Sequence, residues 1–133
     1  MPLTLYGSTG SGSAAVEAAL QLAGLPFDLV DAASWEPSAG LDALRRINPL
    51  AQIPTLCWDD GSVMSESAAI LIELGLRHPG SGLLPADEGQ RAQVILVATA
   101  SEEYSRRRVD ASGQSRPESY VLMEGKNHGA ITA

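Results

Sequence analysis

The spacing of apolar positions changes repeatedly along the amino-terminal part of the chain, and each change predicts an element. Leu3 and Leu5 alternate with Thr4 and Tyr6, the two-residue repeat of a half-buried strand over 3–6. The run GSTGSGS from Gly7 to Ser13 holds no apolar residue, after which Val16, Ala19, Leu20 and Ala23 share one helical face. Gly24 and Pro26 end that helix, and Phe27 to Val30 predict a second strand. A helix follows from Ser38 to Ile47, capped by Ser38, with Leu41, Leu44 and Arg45 at helical spacing. Thr55–Trp58 and Ser62–Met64 flank the tripeptide DDG, a hairpin signal. Ser65 is expected to cap a last helix running to about Arg77, with Ala69, Ile70 and Leu74 on its buried face. The order β-α-β-α-β-β-α predicts an α/β fold around a mixed four-stranded sheet.

Pro54 interrupts this pattern where the third strand begins. Proline has no N–H to give to a sheet and is rare in central strands, so its position marks a special turn. Further along, HPGSGLLPADEGQ is rich in Gly and Pro and reads as a linker over 79–90. Charge changes at the same place: eleven acids face three bases through Gln90, and five acids face six bases from Arg91 onward. RAQVILVATASEEY can form one helix. The polar remainder has a single short apolar patch, Val121 to Met123, and is expected to be partly disordered.

Composition excludes several classes of function. With 44% hydrophobic and 19% charged residues the chain is an ordinary globular protein. A net charge of −7 argues against nucleic acid and anionic lipid as partners. Lone Cys57 rules out an internal disulfide framework, and no Cys/His cluster suggests a metal. No apolar run reaches the roughly 20 residues that span a bilayer. The start, MPLTLYG, has no cationic segment leading into an apolar one, so a cytoplasmic location is expected.

Candidate chemistry concentrates in the Gly/Ser run, where Tyr6, Ser8, Thr9, Ser11 and Ser13 offer hydroxyls between the first strand and the first helix. Two phosphate-binding readings compete there. Gly7 and Gly12 have the spacing of a phosphate loop, but Ser13 stands where its Lys belongs. Gly10 to Ala15 fits GxGxxA, with Asp28 or Asp31 near the distance of a ribose-binding acid. That dinucleotide motif requires a further parallel βα unit, whereas this chain continues with a proline-led strand and a hairpin. The bland reading is that these Ser and Gly residues form a turn and cap the helix. Tyr6 is expected to be structural, Cys57 a small core residue, Trp58 a cover for the sheet or an interface residue, and His78 a helix end. His128 has no evident partner.

Three segments together carry a resemblance to a known family: LTLYGSTGSGSAAVEAALQLAGLPFDLV, INPLAQIPTL and DDGSVMSESAAILIEL. The topology they predict is thioredoxin-like, and over about the first 90 residues the chain resembles the amino-terminal domain of the cytosolic glutathione S-transferases. The block NPxxxIPxL followed closely by SESxAI is the specific part. The resemblance implies a cis peptide bond before Pro54, at a cost of about 0.5–1 kcal/mol. The backbone of Ile53 is then exposed to pair with the cysteinyl unit of glutathione as a strand edge would. It further implies that Glu66 takes the γ-glutamyl ammonium, and that Ser67 with the first N–H groups of its helix takes the carboxylate. Gln52 is a candidate for a glutathione carboxylate. Arg45 and Arg46 fit the glycyl end less well than a solvated helix face.

For chemistry, the resemblance implies a group that stabilises the glutathione thiolate, because a free thiol near pKa 8.5 is mostly protonated at pH 7. Members with a Cys at this turn would place it near Gly12, which has no side chain. The candidate hydroxyls are therefore Ser11, then Ser13 and Ser8. In complete relatives an all-helical domain follows, so residues 91–133 are expected to be a truncated remnant of it. Two functions follow from the resemblance. One is a glutathione transferase, expected to be a homodimer, joining glutathione to a small electrophile in detoxification without a metal. The other is a non-catalytic thioredoxin-like module acting through protein partners.

Overall fold

The computed structural model describes residues 2–107. The elements are β1 (Leu3–Gly7), α1 (Ser13–Leu22), β2 (Phe27–Asp31), α2 (Ala39–Ile47), β3 (Thr55–Cys57), β4 (Val63–Ser65), α3 (Ser67–Arg77) and α4 (Glu88–Arg107). A single 3₁₀ turn at Pro79–Ser81 follows α3. The sheet order is β2-β1-β3-β4. β1 runs parallel to β2 and antiparallel to β3, and β3 is antiparallel to β4. This is the thioredoxin-like arrangement expected from the element order, and the antiparallel β3 excludes the dinucleotide-binding continuation.

Alternation along β1 divides the core in two. Leu3 and Leu5 point to one side, where Val16, Ala19 and Leu20 of α1, Leu56 of β3 and Ile70 and Leu74 of α3 close the main core. Tyr6 points to the other side, against Ala32, Leu41 and Leu44 beneath α2. Tyr6 is thus a packed structural residue. Trp58 is also core, 2% exposed, with the guanidinium of Arg77 4.0 Å from the centre of its ring. Cys57 is half-buried at the end of β3.

Local signals account for the boundaries. Ser38 caps α2, its hydroxyl accepting from the N–H of Leu41 at 3.0 Å. Gly61 supplies the positive φ of 82° in the β3–β4 hairpin. The start of α3 differs from expectation. Ser65 is the last residue of β4, paired with Thr55, and Glu66 occupies the cap position with φ 75°. Because the chain reverses at this one residue, the helix turns a different face inward: Ala68, not Ala69, is buried with Ile70 and Leu74. Arg45 likewise faces out and lies 3.6 Å from Asp42.

The described residues divide into two compact units, one ending at Leu84 and one beginning at Pro85. The first extends past the helix end at His78 because Leu83 packs on the main core and Leu84 approaches Gly75. In the second, α4 opens with Asp87, whose carboxylate accepts from the N–H of Gln90 at 2.8 Å. The segment RAQVILVATASEEY is helical as expected. The expected disordered remainder, with Val121 to Met123 and His128, lies outside the described residues.

Candidate functional site

The strand register gathers three loops at one end of the sheet. Tyr6 pairs with Thr55 and Thr55 with Ser65. The exit of β1, the entry to β3 and the exit of β4 are therefore adjacent, and the loop 8–12, the segment 52–54 and the start of α3 all leave from that row. The Ile53–Pro54 peptide bond is cis. A Cβ built on Gly12 would lie 3.7 Å from Cδ of Pro54 and 4.0 Å from Oγ of Ser67. One glycine thus faces both other segments.

Each segment is held by its own neighbours. Thr55 is fully buried; its hydroxyl donates to the carbonyl of Gln52 at 2.6 Å and accepts from Nδ2 of Asn48 at 3.0 Å. Oδ1 of Asn48 also accepts from the N–H of Leu50 at 3.2 Å. These bonds fix the loop that ends in Pro54. Pro54 is buried, Ile53 is half-buried and packs beneath α2, and Gln52 is exposed. Glu66 and Ser67 are half-buried. Among the described non-glycine residues, only Ala51 and Glu66 have positive φ. An acidic residue held in so sparsely populated a region points to a functional constraint.

The three candidate serines form one network in the first loop. Ser13 is 3% exposed; its hydroxyl accepts from the N–H of Ser8 at 3.1 Å and lies 3.1 Å from the Ser8 carbonyl. The Ser11 hydroxyl donates to the same carbonyl at 2.7 Å and lies 2.7 Å from the Ser13 hydroxyl. It also accepts from the N–H of Ser13 at 3.2 Å. Each hydroxyl has one proton to give, and within this network both protons have acceptors. Gly7 completes the packing, since a Cβ there would collide with the Ser13 side chain. The helix cap itself is Gly12, which makes no side-chain cap bond.

The sheet thus brings Gly12, Ile53, Pro54, Glu66 and Ser67 to one place. Arg45 and Arg46 are exposed on α2. A cavity of about 290 Å³ lies on the other flank of the first loop, bounded by Ser8, Gly10, Ala14, Glu17, Leu29 and Asp31. It includes none of Ile53, Pro54, Glu66 or Ser67. Among the described residues no group of His, Cys, Asp and Glu could hold a metal ion, and no helix is long and apolar enough to cross a membrane.

The family model for the glutathione S-transferase N-terminal domain matches residues 13–76, from the first residue of α1 into α3. Residues 13–76 belong to the glutathione S-transferase N-terminal domain family. A GST-like protein of uncharacterised function from Escherichia coli, YncG, is 36% identical over 78 residues, 58% of this chain and 38% of that protein. Protein LigF of Sphingobium is 37% identical over 110 residues, 78% of this chain and 41% of that protein. Among solved structures, a sphingomonad glutathione S-transferase complexed with glutathione superposes with a TM-score of 0.68 at 28% identity, covering 97% of this chain and 67% of the other. The chain therefore spans about two-fifths of the length of these curated relatives.

Asn48 and Thr55, which hold the glutathione S-transferase loop, did not stand out in the sequence. Asn48 lay inside the family block NPxxxIPxL, but its partner became visible only in three dimensions. The role of Gly12 as the residue facing Pro54 and Ser67 also required the structure.

Proposed function

We propose that this chain binds glutathione at the end of the sheet and stabilises its thiolate for attack on a small electrophile. The observation that carries this reading is the meeting of Gly12, Pro54 and Ser67 from three separate segments, beside a Glu66 held at φ 75°. Two of the three segments, 52–54 and the start of α3, match the backbone and charged groups of glutathione, and the loop 8–12 faces its thiol. The backbone of Ile53 pairs with the cysteinyl unit. Glu66 takes the γ-glutamyl ammonium, while Ser67 and the first N–H groups of α3 take the adjoining carboxylate. Gln52, exposed beside Ile53, serves a carboxylate of the tripeptide.

Among the serines we assign Ser11 to the thiol, because it is half-buried and adjoins Gly12, whereas Ser13 is buried and bonded to Ser8. Ser13 and Ser8 then position Ser11. To reach the sulfur, the Ser11 hydroxyl must turn from the Ser8 carbonyl. The start of α1 adds its positive end. Magnitudes decide between the two contributions: a hydroxyl bond to an ionised group is worth about 1.5–3 kcal/mol, and a helix terminus about 0.3–1. At 1.36 kcal/mol per pKa unit, the helix alone lowers the thiol pKa by less than about one unit, so efficient ionisation at pH 7 needs the hydroxyl.

A homodimeric, cytoplasmic transferase is the form this reading takes in the family. The second reading, a glutathione-binding or thioredoxin-like module without turnover, is favoured by one observation: both serine hydroxyls are engaged within their own loop. Calorimetric titration with glutathione, followed by ultraviolet absorbance of the bound thiolate between about pH 5 and 9, separates the two. A bound thiol pKa well below its free value supports the transferase, and binding with an unshifted pKa supports the module. Absence of binding at millimolar glutathione overturns the assignment of the site to glutathione and leaves a thioredoxin-like module acting through protein partners.

A further inference from the structure

β2 is an edge of the sheet, and among the described residues it pairs with β1 alone. The opposite edge, β4, has three residues where β2 has five. Just past β2 the N–H of Ala32 donates to the Gly7 carbonyl at 2.8 Å. Backbone groups alternate along a strand, so those of Asp28 and Val30 turn towards β1 as well. The N–H and C=O groups of Phe27, Leu29 and Asp31 therefore face outward along the open edge. Leu29 lies opposite Leu5, whose side chain enters the main core, so Leu29 and Asp31 point to the side of the sheet that carries α1. There they line the cavity of about 290 Å³ together with Ala14 and Glu17 of α1. Leu29 is 53% exposed, and Asp28 and Asp31 are exposed. Among the described residues Glu17, Asp28 and Asp31 make no ion pair, while Arg45 and Arg77 pair with other acids.

We propose that the β2 edge binds an extended, lysine- or arginine-bearing segment of a partner protein, which adds to the sheet beside β2 and lays a basic side chain into the cavity. Main-chain bonds to Phe27, Leu29 and Asp31 supply the pairing, and alternate side chains of the added strand supply the selection. Such a strand lies about 4.8 Å from β2. A basic side chain that it directs towards α1 meets Glu17 and Asp31 with its charge and covers Leu29 with its methylene stem. Charge decides the class of occupant. A second copy paired along this edge brings its own Asp28 and Asp31 to the same short ladder, and like charges there oppose the pairing. A basic segment meets the same acids favourably. Exposed ion pairs contribute little by themselves, so the main-chain pairing is needed as well. The cavity includes neither Pro54 nor Ser67, and the inference does not depend on glutathione binding.

The test is a nuclear magnetic resonance titration of the full 133-residue chain with a capped peptide of seven residues that alternates lysine and valine. Binding is expected to shift the amide signals of residues 27–31. Replacing the lysines by glutamate is expected to weaken it by about tenfold or more. N-methylating every second residue of the peptide is expected to weaken binding by about tenfold or more in the phase that faces β2, and little in the other. The double variant Glu17→Gln, Asp31→Asn is expected to bind the lysine peptide about threefold or more weakly, with thermal melting verifying its fold. No binding at millimolar peptide, equal binding of the lysine and glutamate peptides, or equal effects of the two N-methylation phases overturns the inference. An unchanged affinity in the double variant overturns it too. Lysine amide binding as tightly as the peptide would make this a site for small amines, and signals of 27–31 that move with protein concentration alone would make the occupant a second copy; either result overturns the inference.

Discussion

Nδ2 of Asn48 donates to Oγ1 of Thr55 across 3.0 Å, tying the end of α2 to the start of β3 and enclosing the loop that carries Pro54. Thr55 passes the restraint on, since its hydroxyl donates to the Gln52 carbonyl at 2.6 Å. Thr55→Val keeps the shape and removes both bonds. Leaving these partly buried groups unpaired is expected to cost about 1–3 kcal/mol, read as a lower urea midpoint. Glutathione affinity is expected to fall with it; unchanged affinity would mean that the loop is held by other contacts.

Glu66 combines an acidic side chain with a left-handed backbone at φ 75°, and two substitutions separate these features. Glu66→Gly is expected to raise stability by about 1 kcal/mol, because glycine adopts positive φ without strain. Both Glu66→Gly and Glu66→Ala are expected to weaken glutathione binding by about tenfold or more, the scale of a lost charge-assisted bond. Cys57→Ala, at the half-buried last position of β3, is expected to change affinity far less. Equal effects at Glu66 and Cys57, measured by calorimetry, would remove the γ-glutamyl contact from the site.

Ser11 and Ser13 share one network but are assigned different roles. Ser11→Ala is expected to raise the pKa of bound glutathione by about one unit or more, because it removes a bond to the thiolate, and to cost about 1 kcal/mol of stability, because the Ser13 N–H loses its acceptor. Ser13→Ala is expected to destabilise the fold by about 1–3 kcal/mol, since Ser13 is buried and accepts the Ser8 N–H. Thiolate absorbance against pH distinguishes them; a pKa that Ser11→Ala does not move would transfer the role to the helix terminus.

Asp60 gives the fold a small pH dependence. The Ser62 hydroxyl, then the Ser62 N–H at 2.8 Å, then Arg77 hold its carboxyl below the ordinary aspartate value, against a small opposing effect of desolvation. Arg77 is shifted up by its hydrogen bond to Glu73 at 2.8 Å and by Asp60 at 3.5 Å. A carboxyl depressed in the folded state stabilises it above the unfolded pKa, and that contribution is lost as pH falls through the folded value. Thermal melting of Asp60→Asn is therefore expected to fall less steeply than wild type on the acid side of the aspartate range. The group is exposed, so the difference is a modest one.

How much could be read beforehand varies with how local each signal is. Strands and helices were legible because Leu3 and Leu5, Val16 and Leu20, and Leu41 and Leu44 repeat at the periods of strand and helix. Ser38 was legible as a cap because its bond spans three residues. Ala68 and Ala69 could not be told apart, because the phase of α3 depends on the backbone turn at Glu66. The serines were visible as hydroxyls, but not that those of Ser11 and Ser13 bond to the Ser8 backbone and to each other.

Legible in the sequence alone were the order of elements, the apolar faces of the first strand and of α1 and α2, and the family motif around Pro54 and Glu66. These depend on periodicity and short-range turn chemistry, which act within a few residues. Tertiary structure alone decided that Gly12 faces Pro54 and Ser67, and that Thr55 joins Asn48 to Gln52. Those relationships follow from the register that sets Tyr6, Thr55 and Ser65 side by side. Register is fixed by how whole strands pack, so residues far apart in the chain become neighbours only when the sheet has formed.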